Sequence, residues 1–425
     1  MHVDRGGPLR RNVVWALFGN VGYTAFQWGI LICIAKLGSA ADVGVFALGL
    51  AVTAPVITLT NLHLRVIEAT DARNEYPFSV YLALRLVTSV VAIVAIAAIA
   101  FGSGYRDRTL ELILAVGLAK SIESVSDVIF GLLQEAENLR RIALSMLAKG
   151  FLSVVAVGAG LYFTGSLVLA ALVMAVGWTV LLATYDLPAA YRLTSIRPSA
   201  TLQELGNLTW LAAPMGCVAA LTSLTTNVPR YSIEANLGPA ALGHFAAVAY
   251  LFVAGQQPMI AVGAAVTPRL ARHFVYNLPA YQRLTRRTVA SAAALGLAGV
   301  IVSALAGRFI LRIAYAPEYA AQAPVLLWMA VAAGVGFMGK ALTASVTAAR
   351  RLAQQLPIAV VSLGMAFLVS RTLVPRFGLY GAAWAVLATE TTRLVWLTVL
   401  YLQSLSSAAA AQDDDLSLEK VASTG

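Results

Sequence analysis

SVYLALRLVTSVVAIVAIAAIAF, residues 79–101, decides the fold class. It carries a single charge, Arg85, and exceeds the roughly 20 apolar residues that cross a bilayer as a helix. A strand is no alternative, because an open strand in lipid leaves its backbone groups unpaired. Working outward, comparable runs fall near 13–35, 43–62, 110–133, 142–163 and 166–186. A second set falls near 208–232, 241–266, 288–311, 323–348, 357–374 and 379–402. The composition agrees: 59% of the 425 residues are hydrophobic and 12% charged, against about 25% charged in soluble proteins. The expectation is an all-α polytopic membrane protein of about twelve spans with short connections. These leave no room for a soluble catalytic domain or nucleotide-binding cassette. Residues 403–425, with Asp413, Asp414 and Asp415, read as a polar, disordered cytoplasmic tail.

The net charge is +10. Counting Lys and Arg by loop gives 17 on the N-terminal side, from Arg5, Arg10 and Arg11 through Arg65, Arg73 and Arg351 to Lys420. The opposite side has 8, including Lys36, Arg106, Arg108 and Arg376. The positive-inside rule then puts both termini in the cytoplasm with an even number of spans. Nucleic acid is not an expected partner, since no basic run sits on a soluble fold. The Arg5–Arg11 segment before the first run reads as the flank of an uncleaved span rather than a signal peptide. Arginine outnumbers lysine 25 to 5 and alanine is abundant, as in a GC-rich bacterial genome.

Cys33 and Cys217 lie inside apolar runs without metal-ligand spacing. His2, His63, His244 and His273 are scattered, and neither a phosphate-binding glycine loop nor a His-Glu-x-x-His pair occurs. No enzyme and no cofactor is expected, beyond a coupling H+ or Na+.

An internal repeat organises the runs. Leu37-Gly38-Ser39-Ala40-Ala41 precedes Gly44-Val45-Phe46-Ala47, and Leu237-Gly238-Pro239-Ala240-Ala241 precedes Gly243-His244-Phe245-Ala246. Upstream, Asn12-Val13-Val14-Trp15 echoes Asn207-Leu208-Thr209-Trp210. Two six-helix lobes follow, residues 1–193 and 194–402, as parallel repeats about an axis along the membrane normal.

Ionisable residues inside spans are the candidate functional groups, because a charge at the bilayer centre costs about 2.5–3.5 kcal/mol on insertion scales. In the fourth run Lys120, Glu123, Ser124 and Asp127 share one helix face, continued by Gly131 and Gln134. Lys120 lies about 15 Å from the run's outer end, near the midplane. Two readings stand: a Lys120–Glu123 pair that neutralises itself, or a hydrophilic wall with an unpaired, ion-binding Asp127. Lys340 is equally deep and has no carboxylate at i±3 or i±4, so a cavity or another helix must accommodate it. Lys149 is shallower and within snorkelling reach. Arg85 reads as interfacial. Glu390 and Arg393 are spaced to pair, as are Arg230 and Glu234. Pro229 is expected to kink or end the seventh span; Pro55, Pro214 and Pro258 also interrupt spans.

Three segments resemble the polysaccharide-transporter branch of the multidrug/oligosaccharidyl-lipid/polysaccharide (MOP) exporter superfamily, which contains O-antigen and capsule flippases. The first runs from Lys36-Leu37-Gly38 to Asp71, with Val43-Gly44-Val45-Phe46-Ala47, Ala54-Pro55 and Leu62-His63-Leu64-Arg65. The second is Asn227-Val228-Pro229-Arg230-Tyr231 with Glu234 and Leu237-Gly238, and the third is Tyr315-Ala316-Pro317-Glu318-Tyr319. The resemblance implies two lobes around a cavity that opens alternately to either side of a bacterial inner membrane. It also implies an oligosaccharide on a polyprenyl pyrophosphate as cargo, with membrane lipids, a polysaccharide polymerase and export proteins as partners. Lys120, Arg230 and Lys340 are then the cationic candidates for the pyrophosphate, and Glu123, Asp127 and Glu390 the ion-coupling candidates. Arginines crowd the first span of the peptidoglycan-precursor branch; here that span has no charge before Lys36. An ion-coupled exporter of small amphiphiles on the same fold is the alternative. A membrane polymerase or ligase is disfavoured by the short outer loops.

Overall fold

The computed structural model describes residues 9–71, 75–350 and 354–424. His2, Arg5, Arg73 and Arg351 lie outside the described residues, as do the side chains of Arg10, Pro258, Asp413, Asp414, Asp415 and Lys420. The described chain is helical, with α1 (Leu9–Leu37), α2 (Ala40–Asn61), α3 (Leu64–Thr70), α4 (Phe78–Gly102), α5 (Asp107–Glu135), α6 (Leu139–Thr164) and α7 (Leu167–Leu181). A π-helical turn (Leu182–Asp186) leads into α8 (Leu187–Tyr191). Then come α9 (Leu202–Tyr276), α10 (Leu278–Ala314), a 3-10 turn (Pro317–Gln322), α11 (Ala323–Ala348), α12 (Gln355–Phe377) and α13 (Leu379–Thr424). α13 continues through the segment read as a disordered tail; no Gly or Pro interrupts residues 401–424.

Ten of these helices are long and apolar enough to cross a membrane. One of the ten, the start of α9, is two spans joined at Gly238, where φ is 80° and ψ 178°. α5 is a twelfth long helix whose charges hide it from a purely apolar criterion. Large apolar side chains on several of these helices, among them Val90, Val94, Leu297 and Leu305, face outward, which is stable only in lipid. The chain is a multi-pass membrane protein.

The break in α9 falls at Gly238 rather than at Pro229, which stays inside the helix. A non-glycine residue is strained at positive φ with extended ψ, so Gly238 is suited to the turn. Pro239 then begins the next helix, where its missing N–H has no partner to lose. The first repeat does the same with different chemistry. α1 ends at Leu37, and Ser39 caps α2: its hydroxyl accepts from the Asp42 N–H at 3.2 Å while Asp42 accepts from the Ser39 N–H at 3.0 Å. The repeated motif is thus the joint between the first two helices of each half.

The two joints touch. A Cβ at Gly44 would overlap the Pro239 carbonyl oxygen, and a Cβ at Gly243 would overlap the Ala40 carbonyl oxygen. Gly44 and Gly243 let the two backbones cross in direct contact, as small residues do between membrane helices.

The chain separates into two compact units, residues up to 247 with 314–316, and residues 248–313 with 317 onward. In the first, α1 packs along α6, α2 against α4 and α5, and α5 and α6 against α7. A core of Leu62, Leu64, Tyr81, Ile129, Leu133 and Ile142 ties α3 to α4, α5 and α6. Tyr315 joins this unit by accepting from Trp28 Nε1 at 2.8 Å and donating to the Ala247 carbonyl at 2.9 Å. In the second, α13 packs on α11 and α12, and Met259, Ala292, Ala333 and Phe337 form one of its cores. An apolar cavity of about 390 Å³ lies beside that core, lined by residues such as Leu251, Leu295 and Met329.

Candidate functional site

α5 is the polar spine of the first unit. Lys120 Nζ meets Glu123 Oε2 at 2.8 Å, one turn along the same helix. Glu123 also accepts from the Tyr23 hydroxyl of α1. The Lys120 ammonium lies 5.2 Å from the ring centre of Trp178 on α7, within cation–π range. About a quarter of each charged side chain stays accessible, so the pair is supported from three helices without being sealed off.

Asp127 is not left alone. The consecutive left-handed residues Leu62 and His63, both at φ 51°, turn the chain so that α3 runs back along α5. This brings Arg65 to Asp127 at 3.3 Å. Arg65 also donates to Gln134 Oε1 at 3.3 Å and lies 5.5 Å from the Phe130 ring centre. The sequence stripe Lys120–Glu123–Asp127–Gln134 is therefore occupied by partners along its length. Asp127 acquires its cation from a segment that sequence spacing could not place.

Lys149 does not snorkel. Its ammonium and the Asp186 carboxylate are each 1% exposed and lie 3.1 Å apart. Phe130 covers the ammonium at 4.9 Å. The Lys149 carbonyl accepts from Ser153 Oγ at 2.6 Å and from Trp178 Nε1 at 3.2 Å. Asp186 closes the π-helical turn, a local widening that re-aims a side chain within a helix. Arg85 is not interfacial either; it is 1% exposed. Its guanidinium donates to Asn61 Oδ1 at 2.6 Å and the Asn61 carbonyl at 3.0 Å, capping the C-terminus of α2 where a cation suits the helix dipole.

The other candidates lie elsewhere. Arg230, in the first segment of α9, donates to Asn227 Oδ1 at 2.6 Å, one turn back, and forms no ion pair with Glu234 among the described residues. Its neighbour Tyr231 donates to the Ala51 carbonyl of α2. In the second unit, Lys340 of α11 is half-buried and has Glu390 and Arg393 of α13 as electrostatic neighbours. Glu390 packs against Gly336, where an added Cβ would lie 3.1 Å from its Oε2. Among the described residues Glu390 and Arg393 make no direct ion pair. The structure thus brings Lys120, Glu123 and Asp127 together on one helix and Lys340 and Glu390 together on another seam.

Chemically, the first unit offers a partly accessible ammonium held by a carboxylate and an aromatic face, beside a second, arginine-paired carboxylate. Such a set can take up an anion at Lys120 or exchange a cation at the carboxylates.

Comparison with solved structures fixes the architecture. The inward-facing conformation of a multidrug resistance MATE family transporter of the MOP superfamily superposes with a TM-score of 0.69, 18% identity, and coverage of 94% of this chain and 96% of that one. The fold is that of the MOP-superfamily transporters. A MOP superfamily transporter from Pyrococcus furiosus, described as having a binding pocket of reversed polarity, superposes at 0.62 with 18% identity over 96% and 98% of the two chains. In sequence, the chain is similar to the capsular polysaccharide biosynthesis protein CapF of Staphylococcus aureus, 25% identical over 391 residues, which span 91% of this chain and 97% of CapF. No family model matches.

Proposed function

We propose that this protein is a flippase that carries a polyprenyl-pyrophosphate-linked oligosaccharide from the inner to the outer leaflet of a bacterial cytoplasmic membrane, for surface polysaccharide synthesis. The observation that carries the reading is the near full-length similarity to CapF on a transporter fold that holds a charged spine inside an apolar bundle. A sugar headgroup loses its hydrogen bonds to water on entering lipid, and a polar path restores them. Lys120 is the first cation we assign to the pyrophosphate, with Arg230 and Lys340 as further contacts. An ion gradient, or consumption of the product outside, supplies the work in place of ATP. Glu123, Asp127 and Glu390 are the carboxylates assigned to a coupling H+ or Na+. Membrane lipids, a polymerase and export proteins are its partners.

The test is deletion of the gene followed by analysis of lipid-linked glycans. Undecaprenyl-linked oligosaccharide is expected to accumulate facing the cytoplasm, and surface polymer to disappear. Normal surface polymer with new sensitivity to cationic drugs would instead support an ion-coupled exporter of small amphiphiles on the same fold.

A further inference from the structure

Glu123, Asp127, Asp186 and Glu68 are acidic side chains of the first unit that lie on or beside α5, and the first three have a cation at hand. Glu123 has Lys120, Asp127 has Arg65 and Asp186 has Lys149. The fourth, Glu68 on α3, is 3% exposed, and neither of its carboxyl oxygens has a hydrogen-bond partner among the described residues. Its seat is built for it. A Cβ on Gly131 of α5 would overlap Glu68 Oε2 and lie 3.2 Å from Arg65 Cα, so this glycine in the α5 stripe is what admits both the carboxyl and the α3 backbone. Leu64, Leu133 and Tyr81 belong to the buried core that holds α3 against α4 and α5.

The charged and titratable groups around Glu68 come from every element packed on it. From α4 come Arg85 and Tyr81, from α5 Asp127 and Glu135, from α3 itself Arg65, and beyond its end Asp71. Both arginines have acceptors other than Glu68, although Arg85 Nε is buried without a partner among the described residues. Arg85 is bonded to Asn61, and Arg65 to Asp127 and Gln134. Glu135 and Asp127 add like charge. An ionised carboxylate in this seat would be buried, without a direct partner and beside the like charges of Glu135 and Asp127, with only Arg85 to offset them from a distance; a protonated one is neutral.

We infer that Glu68 is a proton-binding site: its carboxyl holds a proton while α3 lies against α5 as seen here, and releases it to solvent as H+ when that packing opens. The group differs from Glu123 and Asp127, whose cations are already in place. Proton binding at Glu68 does not depend on the cargo; its use in driving transport rests on the function proposed above.

The experiment is infrared difference spectroscopy of the purified full-length protein, acid minus alkaline, with no cargo present. The wild type is expected to show a protonated-carboxyl carbonyl band that Glu68→Gln removes and Glu111→Gln, at the exposed start of α5, leaves in place. Gly131→Ala, which crowds the carboxyl without changing its chemistry, is expected to shift that band, and serves as the second reading should Glu68→Gln not fold. Sodium added at fixed acid pH is expected to leave the band intact. A spectrum insensitive to both the Glu68 and Gly131 substitutions would overturn the assignment, as would loss of the band on adding sodium, which would make the seat a metal site. Failure of the deletion test above would change the cargo and leave this spectrum as it is.

Discussion

Lys149 and Asp186 are sealed together, so neither can be changed alone without burying an uncompensated charge. Lys149→Met or Asp186→Asn is expected to lower stability by about 3–5 kcal/mol. Lys149→Met combined with Asp186→Leu should recover most of that loss, because removing both charges of a buried pair is close to neutral. Thermal unfolding in detergent measures both. Lys340 presents the opposite case, a half-buried cation with a carboxylate nearby but no direct pair. Lys340→Ala is expected to cut transport with near-normal membrane protein levels, and Lys340→Arg to retain more activity; two variants indistinguishable from wild type would show that Lys340 has no part in transport. At this scale the sequence exposes which residues carry charge in the wrong solvent, and Lys120, Lys149 and Lys340 all stand out. It does not expose their partners on other elements. Asp186 ends an apolar run and looks like a boundary, and Arg65 and Arg85 look like loop and interface cations. What was missing is the turn at Leu62–His63, built from two left-handed non-glycine residues that no composition rule singles out. Glu68 does not stand out in the sequence for the same reason: that turn is what lays it against Gly131 of α5.

Single residues set the joints between elements. Gly238 and Pro229 lie nine positions apart on α9, and only the glycine bends the chain. Gly238→Ala puts a side chain where φ is 80° and ψ 178°, and is expected to cost about 1–3 kcal/mol. Pro229→Ala should be neutral or stabilising, because it returns an N–H to an unbroken helix. Comparing the melting temperatures of the two variants checks the pair. Helix existence was legible: each apolar run of the sequence corresponds to a helix or a helical segment, including α5 despite its charges. The sequence points to Pro229 because proline announces itself through a lost hydrogen bond, whereas the bend sits where a glycine takes positive φ with extended ψ.

At the scale of the whole molecule, the distribution of basic residues predicts the orientation in the membrane. Reporter fusions after Ala200 and after Arg283 should read cytoplasmic, and one after Arg106 external; an external signal at Arg283 would break the model of two parallel halves. The repeat itself was legible because its motif falls on a joint, where backbone geometry restricts the choice of residue more than lipid-facing surface does. The crossing at Gly44 and Gly243 is reciprocal: each glycine receives a carbonyl of the other joint, at the same offset along the chain. Reciprocity of that kind is the mark of an isologous dimer contact, in which residue i meets j and j meets i. Residues 1–193 and 194–425, produced as separate polypeptides, should therefore still find each other in the membrane. Gly44→Leu should abolish their co-purification, and so should Gly243→Leu in the other fragment, since each glycine admits a carbonyl of the opposite joint.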